Sequence, residues 1–386
     1  MKYFRSFNLF LSILSITSLL ASPVFIYASD FAEATTDKQV VEETPAPEPT
    51  AAFVEDFGEP KEVIVKYVNN EDISVIEVPE ETPIEEVIDA IEENPNVEYA
   101  EPNFTRKLFD LGINDPFANL LYGHEIISLG DTWRQLSTGS QDITVAVIDT
   151  GVLYTHPDLI ASMWDGSSCL NENGTTTTCT YGYDIVHNDS NPLPNSLHGT
   201  HVSGIIAATR NNNLGVAGVA PHAKIMALRI FDISDSATVE DEVRAIDFAI
   251  QNGVKVINAS YGGPEFSQAE YDAIERFRNA GGIFIAAAGN GWPDGIGDNN
   301  ELIHNYPSDH SLDNIISVAA TDQDDNLAGF SNYGSISVDV GAPGVNIYST
   351  VLNDNYDYLD GTSMAAPYVA GLVALLWSTE PTLTAT

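Results

Sequence analysis

A chain of 386 residues is long enough to bury one large or two ordinary hydrophobic cores. It carries 56 acidic residues against 15 basic ones, a formal charge of −41. A surface of that sign repels nucleic acid and anionic membranes, which argues against both as partners, and it suits a high-salt habitat or a strongly acidic exported protein.

The chain opens with Lys2 and Arg5, an apolar run from about Phe7 to Leu20, and small residues at Ala21, Ser22, Ala28 and Ser29. This pattern predicts a signal peptide over residues 1–28 and hence a secreted, extracellular protein; for a membrane anchor the run is short and interrupted by serines. No later stretch reads as long and apolar enough to span a bilayer, so stable membrane insertion is not expected. Residues 29–60 are rich in Glu, Pro, Ala and Thr and bury too little apolar surface to fold, so they read as an acidic linker. From Lys61 the pattern changes to strands over Val63–Val68 and Ile73–Val78, a helix over Ile84–Glu93 and a strand over Val97–Ala100. Together these make a small α+β module.

Beyond Asn114 strands and helices alternate. Strands are expected over Ile143–Ile148, Lys224–Ile230, Val254–Ala259, Ile283–Ala288 and Ile315–Ala319. Helices are expected over Thr238–Asn252, with Val239, Val243, Ile246 and Ile250 on one face, and over Ser267–Asn279. The alternation predicts an α/β fold, a doubly wound and mostly parallel sheet with helices on both faces. Ligands of such sheets bind beyond the carboxyl ends of the strands, where the chemistry-bearing motifs fall. Cys169 and Cys179 stand close together in a polar stretch. In an oxidising compartment they can close a small disulfide loop; the alternative is two unrelated thiols.

Three motifs lie at element ends. Asp149 ends an apolar strand and precedes Thr150 and Gly151. His198 opens a helical pattern, His198-Gly199-Thr200-His201, whose small residues allow close packing beside the crevice. Ser363, in Gly361-Thr362-Ser363-Met364-Ala365, precedes an apolar helix over Tyr368–Trp377, where the helix dipole favours developing negative charge. Taken singly, each has an ordinary reading as a turn Asp, a structural His or a capping Ser. In the order Asp, His, Ser they resemble the motifs of the subtilase family of serine proteases, in particular its thermitase-like branch. The resemblance covers the chain from about Asn114 onward and implies a subtilisin-like fold.

The resemblance implies a serine endopeptidase acting on polypeptide substrates through an acyl-enzyme. In it Ser363 is the nucleophile, His198 the general base and acid, and Asp149 the residue that orients His198. It places the side-chain donor of the oxyanion hole at Asn290 and the substrate-pairing segment at Ser260, Tyr261 and Gly262. Ala287, Ala288 and Gly289 then line the pocket, with Asn305 and Ser308 at its floor. Tyr261 stands where an aliphatic residue is more usual, and Asp235 lies in an edge segment bordering the outer subsites. The stretch Asn94–Asn103 resembles the end of an inhibitor-type propeptide, which implies a self-processing precursor with its own propeptide as intramolecular inhibitor and chaperone. The propeptide then spans residues 61–109 and the peptidase domain 110–386, with the processing bond between Asn103 and Asn114.

Calcium is the implied cofactor, held by side-chain oxygens of Asp115, Asp158 and Asn212 and by carbonyls of Thr209, Leu214 and Val216. A second family site near Asp184 and Asp189 has His187 and Leu193 at ligand positions, so it is expected to be weak or absent. Tyr368 stands where the family has His. The last residues, Pro381–Thr386, fall where the family begins another helix, which implies a truncated C-terminus. Two other readings of the same motifs are a narrowly selective processing protease and a catalytically silent binding protein on the same fold.

Overall fold

The computed structural model describes residues 61–68, 73–79, 82–103, 112–135, 137–140, 142–171 and 173–385. The expected signal peptide over 1–28 and linker over 29–60 lie outside these residues, as does most of the interval between Asn103 and Asn114. Contacts divide the chain into two compact units that part between Asp110 and Leu111.

In the smaller unit, strands β1 (Glu62–Tyr67), β2 (Ile73–Glu77) and β3 (Val97–Pro102) form an antiparallel sheet in the order β2-β1-β3. Val63 and Val65 alternate to the inner face of the central strand and are buried with Ala100. Helix α1 (Ile84–Glu92) covers them with Ile84, Val87, Ile88 and Ile91, an i, i+3, i+4, i+7 stripe. The expected α+β module is present, with ends within a residue or two of the predicted ones.

The larger unit is built on seven parallel strands in the order β12-β11-β10-β9-β4-β8-β7. These are β4 (Thr144–Asp149), β7 (Gly182–Asp184), β8 (Lys224–Arg229), β9 (Val256–Ala259), β10 (Ile283–Ala287), β11 (Ile315–Thr321) and β12 (Val340–Pro343). Two short hairpins lie outside the sheet: β5 (Cys169–Leu170) with β6 (Thr176–Thr177), and β13 (Ile347–Val351) with β14 (Asn355–Leu359). All five strands expected here are present with ends shifted by at most two residues; the edge strands β7 and β12 were not foreseen, being too short for a visible period.

Both faces of the sheet are covered. Along β4, Val145 and Val147 join one core while Ala146 and Ile148 join the other, because successive strand residues point to opposite sides. Two short helices, α2 (Tyr122–Ile126) and α3 (Leu129–Gln135), precede β4; the first face is packed by α4 (His198–Ala207) and α7 (Thr362–Thr379), the second by α5 (Val239–Gln251) and α6 (Gln268–Asn279). Thr238 caps α5 in a reciprocal box with Asp241, and Ser267 caps α6.

Two expectations need correction. On α5, Ile246 is buried and Val243 and Ile250 are half-buried against the core as expected, but Val239 is 40% exposed and the buried face is completed by Glu242, Ala245, Phe248 and Ala249. Helix α7 is also longer than the expected Tyr368–Trp377. By length and composition it could cross a membrane, contrary to the reading that no later stretch could; here it is a core helix, most of it buried in the domain.

Candidate active site

The order reversal of the sheet falls between β4 and β9, so the crevice of the doubly wound fold opens at their carboxyl ends. Asp149 is the last residue of β4 and is buried. His198 is the first residue of α4, and both carboxylate oxygens of Asp149 lie 2.9 Å from its Nδ1. Asp149 Oδ1 also accepts the Thr150 N–H at 2.7 Å, which fixes the carboxylate plane. The approach of α4 needs Gly199: a Cβ there would stand 2.3 Å from the Gly151 carbonyl oxygen and 3.0 Å from Asp149 Cβ.

Burial alone pushes the His198 imidazole down, but the Asp149 charge and its hydrogen bond outweigh this, and Asp235 adds to them; the net shift is upward. His124 and His201 show the contrast. Each is buried with Nε2 on a backbone carbonyl, and each is pushed down to about 4.

Ser363 lies in the first turn of α7, one residue past the first helical position, so it does not cap the helix. Its Oγ donates to the Ser260 carbonyl at 3.1 Å, and Ser260 Oγ donates back to the Ser363 carbonyl at 3.0 Å. Asn290 follows β10. Its Oδ1 accepts both the Thr362 N–H and the Thr362 hydroxyl at 2.9 Å, and its Nδ2 has no hydrogen-bond partner among the described residues. Gly361 takes a φ of +150°, and a Cβ there would sit 3.5 Å from Ser363 N and 3.6 Å from Asn290 Nδ2. Those two donors therefore flank one spot beside the serine. Thr362 was read only as a motif member; its bond to Asn290 spans 72 residues and leaves no local signal.

Ser260, Tyr261 and Gly262 continue from the end of β9. Gly263 exchanges two hydrogen bonds with Tyr306, 2.8 and 2.7 Å long, which ties this segment to the neighbouring loop. Below it, Asn305 Nδ2 donates to the Ala287 carbonyl and to Ser308 Oγ, and the Gly289 N–H donates to Thr362 Oγ1. Ala288 differs from its expected role. It is fully buried, its N–H is spent on Val318 and its carbonyl accepts from Asn300, so its backbone has nothing to offer a ligand. Tyr368 is buried with its hydroxyl 3.5 Å from His124 Nδ1, remote from these groups in its contacts.

The expected calcium ligands also converge. Asp115 and Asp158 are buried; Asp115 accepts the Asn211 and Asn212 N–H groups, and Asp158 accepts the Val216 N–H and Asn212 Nδ2. The carbonyls of Thr209, Leu214 and Val216 take no hydrogen bond among the described residues. Two buried carboxylates beside unengaged carbonyls suit a hard cation with oxygen ligands. Among the described residues no cluster of three His, Cys, Asp or Glu side chains could hold a metal, and this set has only two such side chains. Near the second position, Arg229 Nη1 donates to Asp184 Oδ2 at 3.0 Å and to the Leu193 carbonyl, and His187 Nδ1 also lies 3.0 Å from Asp184 Oδ2. A disulfide joins Cys169 and Cys179 across the β5–β6 hairpin.

Residues 140–386 match the family model described as Subtilase family, and residues 61–103 match the Fervidolysin N-terminal prodomain. A thermophilic serine proteinase of Bacillus sp. (strain AK1) is 41% identical over 295 residues, 76% of this chain and 67% of that protein. Thermitase of Thermoactinomyces vulgaris is 41% identical over 266 residues, 69% of this chain and 85% of that protein. A solved protease from Pseudoalteromonas arctica superposes with a TM-score of 0.60 at 30% identity, covering 71% of this chain and 89% of that one.

Proposed function

The chain belongs to the subtilase family of serine proteases and carries a prodomain ahead of its peptidase domain; from this premise we propose that it is a secreted, self-processing endopeptidase whose triad is Asp149, His198 and Ser363. The observation that carries this reading is the approach of Ser363 N and Asn290 Nδ2 to one point beside Gly361, together with the Asp149 carboxylate 2.9 Å from His198 Nδ1 at the same end of the sheet.

In this mechanism the Ser363 hydroxyl leaves the Ser260 carbonyl, attacks the substrate carbonyl carbon and gives its proton to His198 Nε2. Asp149 keeps Nδ1 protonated and stabilises the imidazolium. The oxyanion of the tetrahedral intermediate accepts from the Ser363 N–H and Asn290 Nδ2; loss of one such donor lowers kcat by about 10²–10³. His198 returns the proton to the leaving amine, and water then releases the acyl group by the same steps in reverse. The segment Ser260–Gly262 pairs with the substrate backbone, and Asn305 and Ser308 brace the floor of the pocket. Residues 1–28 direct export, 29–60 link, and 61–109 are removed from the peptidase domain, 110–386.

Calcium fits the oxygen set of Asp115, Asp158, Asn212, Thr209, Leu214 and Val216. When bound it would tie the segment at Asp115 to the loop after α4 and so stabilise the fold. At the other position the Arg229 guanidinium already meets the Asp184 charge, which supports reading that position as metal-poor.

The test is Ser363→Ala. The purified variant should fold, remain at precursor size and hydrolyse no peptide. Mature-sized protein arising from it without added protease would overturn self-processing.

A further inference from the structure

Behind the segment Ser260–Gly263 runs a chain of buried polar side chains that the mechanism above does not use. Glu242 on α5, Glu270 on α6 and His310 in the loop before β11 are 4%, 5% and 5% exposed. Tyr261 Oη donates to Glu242 Oε1 at 3.0 Å, the two carboxyls are hydrogen-bonded to each other, and His310 Nε2 lies 2.5 Å from Glu270 Oε2. His310 Nδ1 has no hydrogen-bond partner among the described residues, so the ring donates from Nε2, which faces the carboxylate.

Two carboxyls joined by a hydrogen bond hold one proton between them. Burial, with Glu270 beside it, holds the Glu242 carboxyl protonated well above the usual carboxylate range. With that proton, Glu242 accepts from Tyr261 and donates to Glu270, and Glu270 also accepts from His310 Nε2. The other titratable groups around this pair are Tyr271 and Tyr306, both in ring contact with His310, Asp309, which acts on Tyr306, and Asp149, which acts on Tyr261.

The chain closes into a ring through the substrate side. Tyr306, 4.8 Å from His310 between ring centroids, is paired with Gly263, and Ser260 is paired with Ser363. The segment is thus held at Ser260 by the serine's own residue, at Tyr261 by Glu242 and at Gly263 by Tyr306. Buried acids are poor sources of stability, since apolar side chains of similar size usually serve as well. What a fully satisfied polar chain supplies is a single geometry.

We propose that Glu242, Glu270 and His310 are positioning residues that hold Tyr261, and through it the backbone of Ser260–Gly263, in register for an extended peptide. This rests on the reading that this segment pairs with substrate. The device works while Glu242 keeps its proton. Because its folded-state pKa is raised, the contribution is complete at low pH and is lost as pH rises through that value, where two adjacent carboxylates would repel.

The test compares an extended peptide substrate, chosen from a cleavage profile of the processed enzyme, with a short acyl-amino-acid ester. Glu242→Leu should raise KM for the peptide about three- to tenfold and leave ester hydrolysis within twofold when assayed well below its melting temperature, which falls because the buried Tyr261 hydroxyl and Glu270 lose a partner. Glu242→Gln, whose amide can both accept from Tyr261 and donate to Glu270, should restore the parent KM and abolish its rise at alkaline pH. Tyr261→Phe, which loses one hydroxyl and carries little risk to folding, should reproduce the KM increase on the peptide. Peptide KM within twofold of the parent in Tyr261→Phe would overturn the proposal. So would Glu242→Gln behaving like Glu242→Leu, or equal losses on both substrates. A parent enzyme that cleaves neither substrate would instead sink the proteolytic reading on which the proposal stands.

Discussion

Two groups of buried acids in the peptidase unit face the same electrostatic problem and meet it differently. Asp184, 2% exposed, has the Arg229 guanidinium 3.0 Å away and His187 beside it. Asp115 and Asp158 are as deeply buried, yet the hydrogen bonds they accept come from neutral donors, backbone and Asn212 N–H groups and the Tyr356 hydroxyl, while the Arg210 guanidinium acts on Asp115 as a charge. Burial accordingly pushes the Asp158 carboxyl up to about 6, with Asp115 adding to the rise. In one place the chain carries its own counter-charge as a side chain. In the other the carboxylates meet neutral donors, and it is there that we propose a calcium ion supplies the counter-charge.

The largest effect should come from removing the built-in counter-charge. Arg229→Leu leaves Asp184 buried without its cation and should cost about 3–5 kcal/mol of unfolding free energy in a urea titration. A loss below about 1 kcal/mol would mean that Asp184 is neutral or solvated and that the contrast is false. Next comes the mobile cation. With calcium at about 100 to 1,000 times its Kd, chelation should remove about 2.7–4.1 kcal/mol, read as a sharp fall in Tm, and Asp158→Ala should abolish most of that response. An unchanged melt with chelator in matched salt would mean that the oxygen set is empty or misassigned.

Surface acids should respond to salt rather than to calcium. Residues 110–386 hold 34 acidic and 8 basic residues, a formal −26. As sodium chloride shortens the Debye length from about 30 Å at 0.01 M to about 3 Å at 1 M, self-repulsion relaxes. Tm in excess calcium should therefore rise, and a flat or falling curve would place the electrostatic strain in the buried groups alone. The smallest effect concerns Asp149, a third arrangement, whose partner is cationic only when protonated. In the proposed mechanism His198 acts as a neutral base, so activity should fall as pH drops through its raised pKa. Asp235→Asn removes one of the raising charges and should move the acid limb of kcat/KM to lower pH by about a few tenths of a unit. A limb that stays in place would show that solvent screens Asp235 from His198.

What the sequence determined by itself is what local pattern encodes. Continuous apolar runs bounded by turn residues marked β4, β8, β9, β10 and β11, because strands buried on both faces must be apolar along their whole length. Asp149, His198 and Ser363 were legible because each sits where such an element starts or stops, within a short motif of small residues. The tertiary structure alone decided which polar groups share a buried volume. Glu242 could be suspected from its phase on α5 with Ile246 and Ala249, but nothing local pairs it with Tyr261, 19 residues away, or Glu270 with His310, 40 residues away. The same holds for Arg229 on Asp184, 45 residues apart, and for α7, whose composition fits a membrane span while its neighbours make it a core helix. The physical reason is that desolvation and charge pairing belong to a neighbourhood in space, and the chain composes that neighbourhood only when strands distant in sequence are laid side by side.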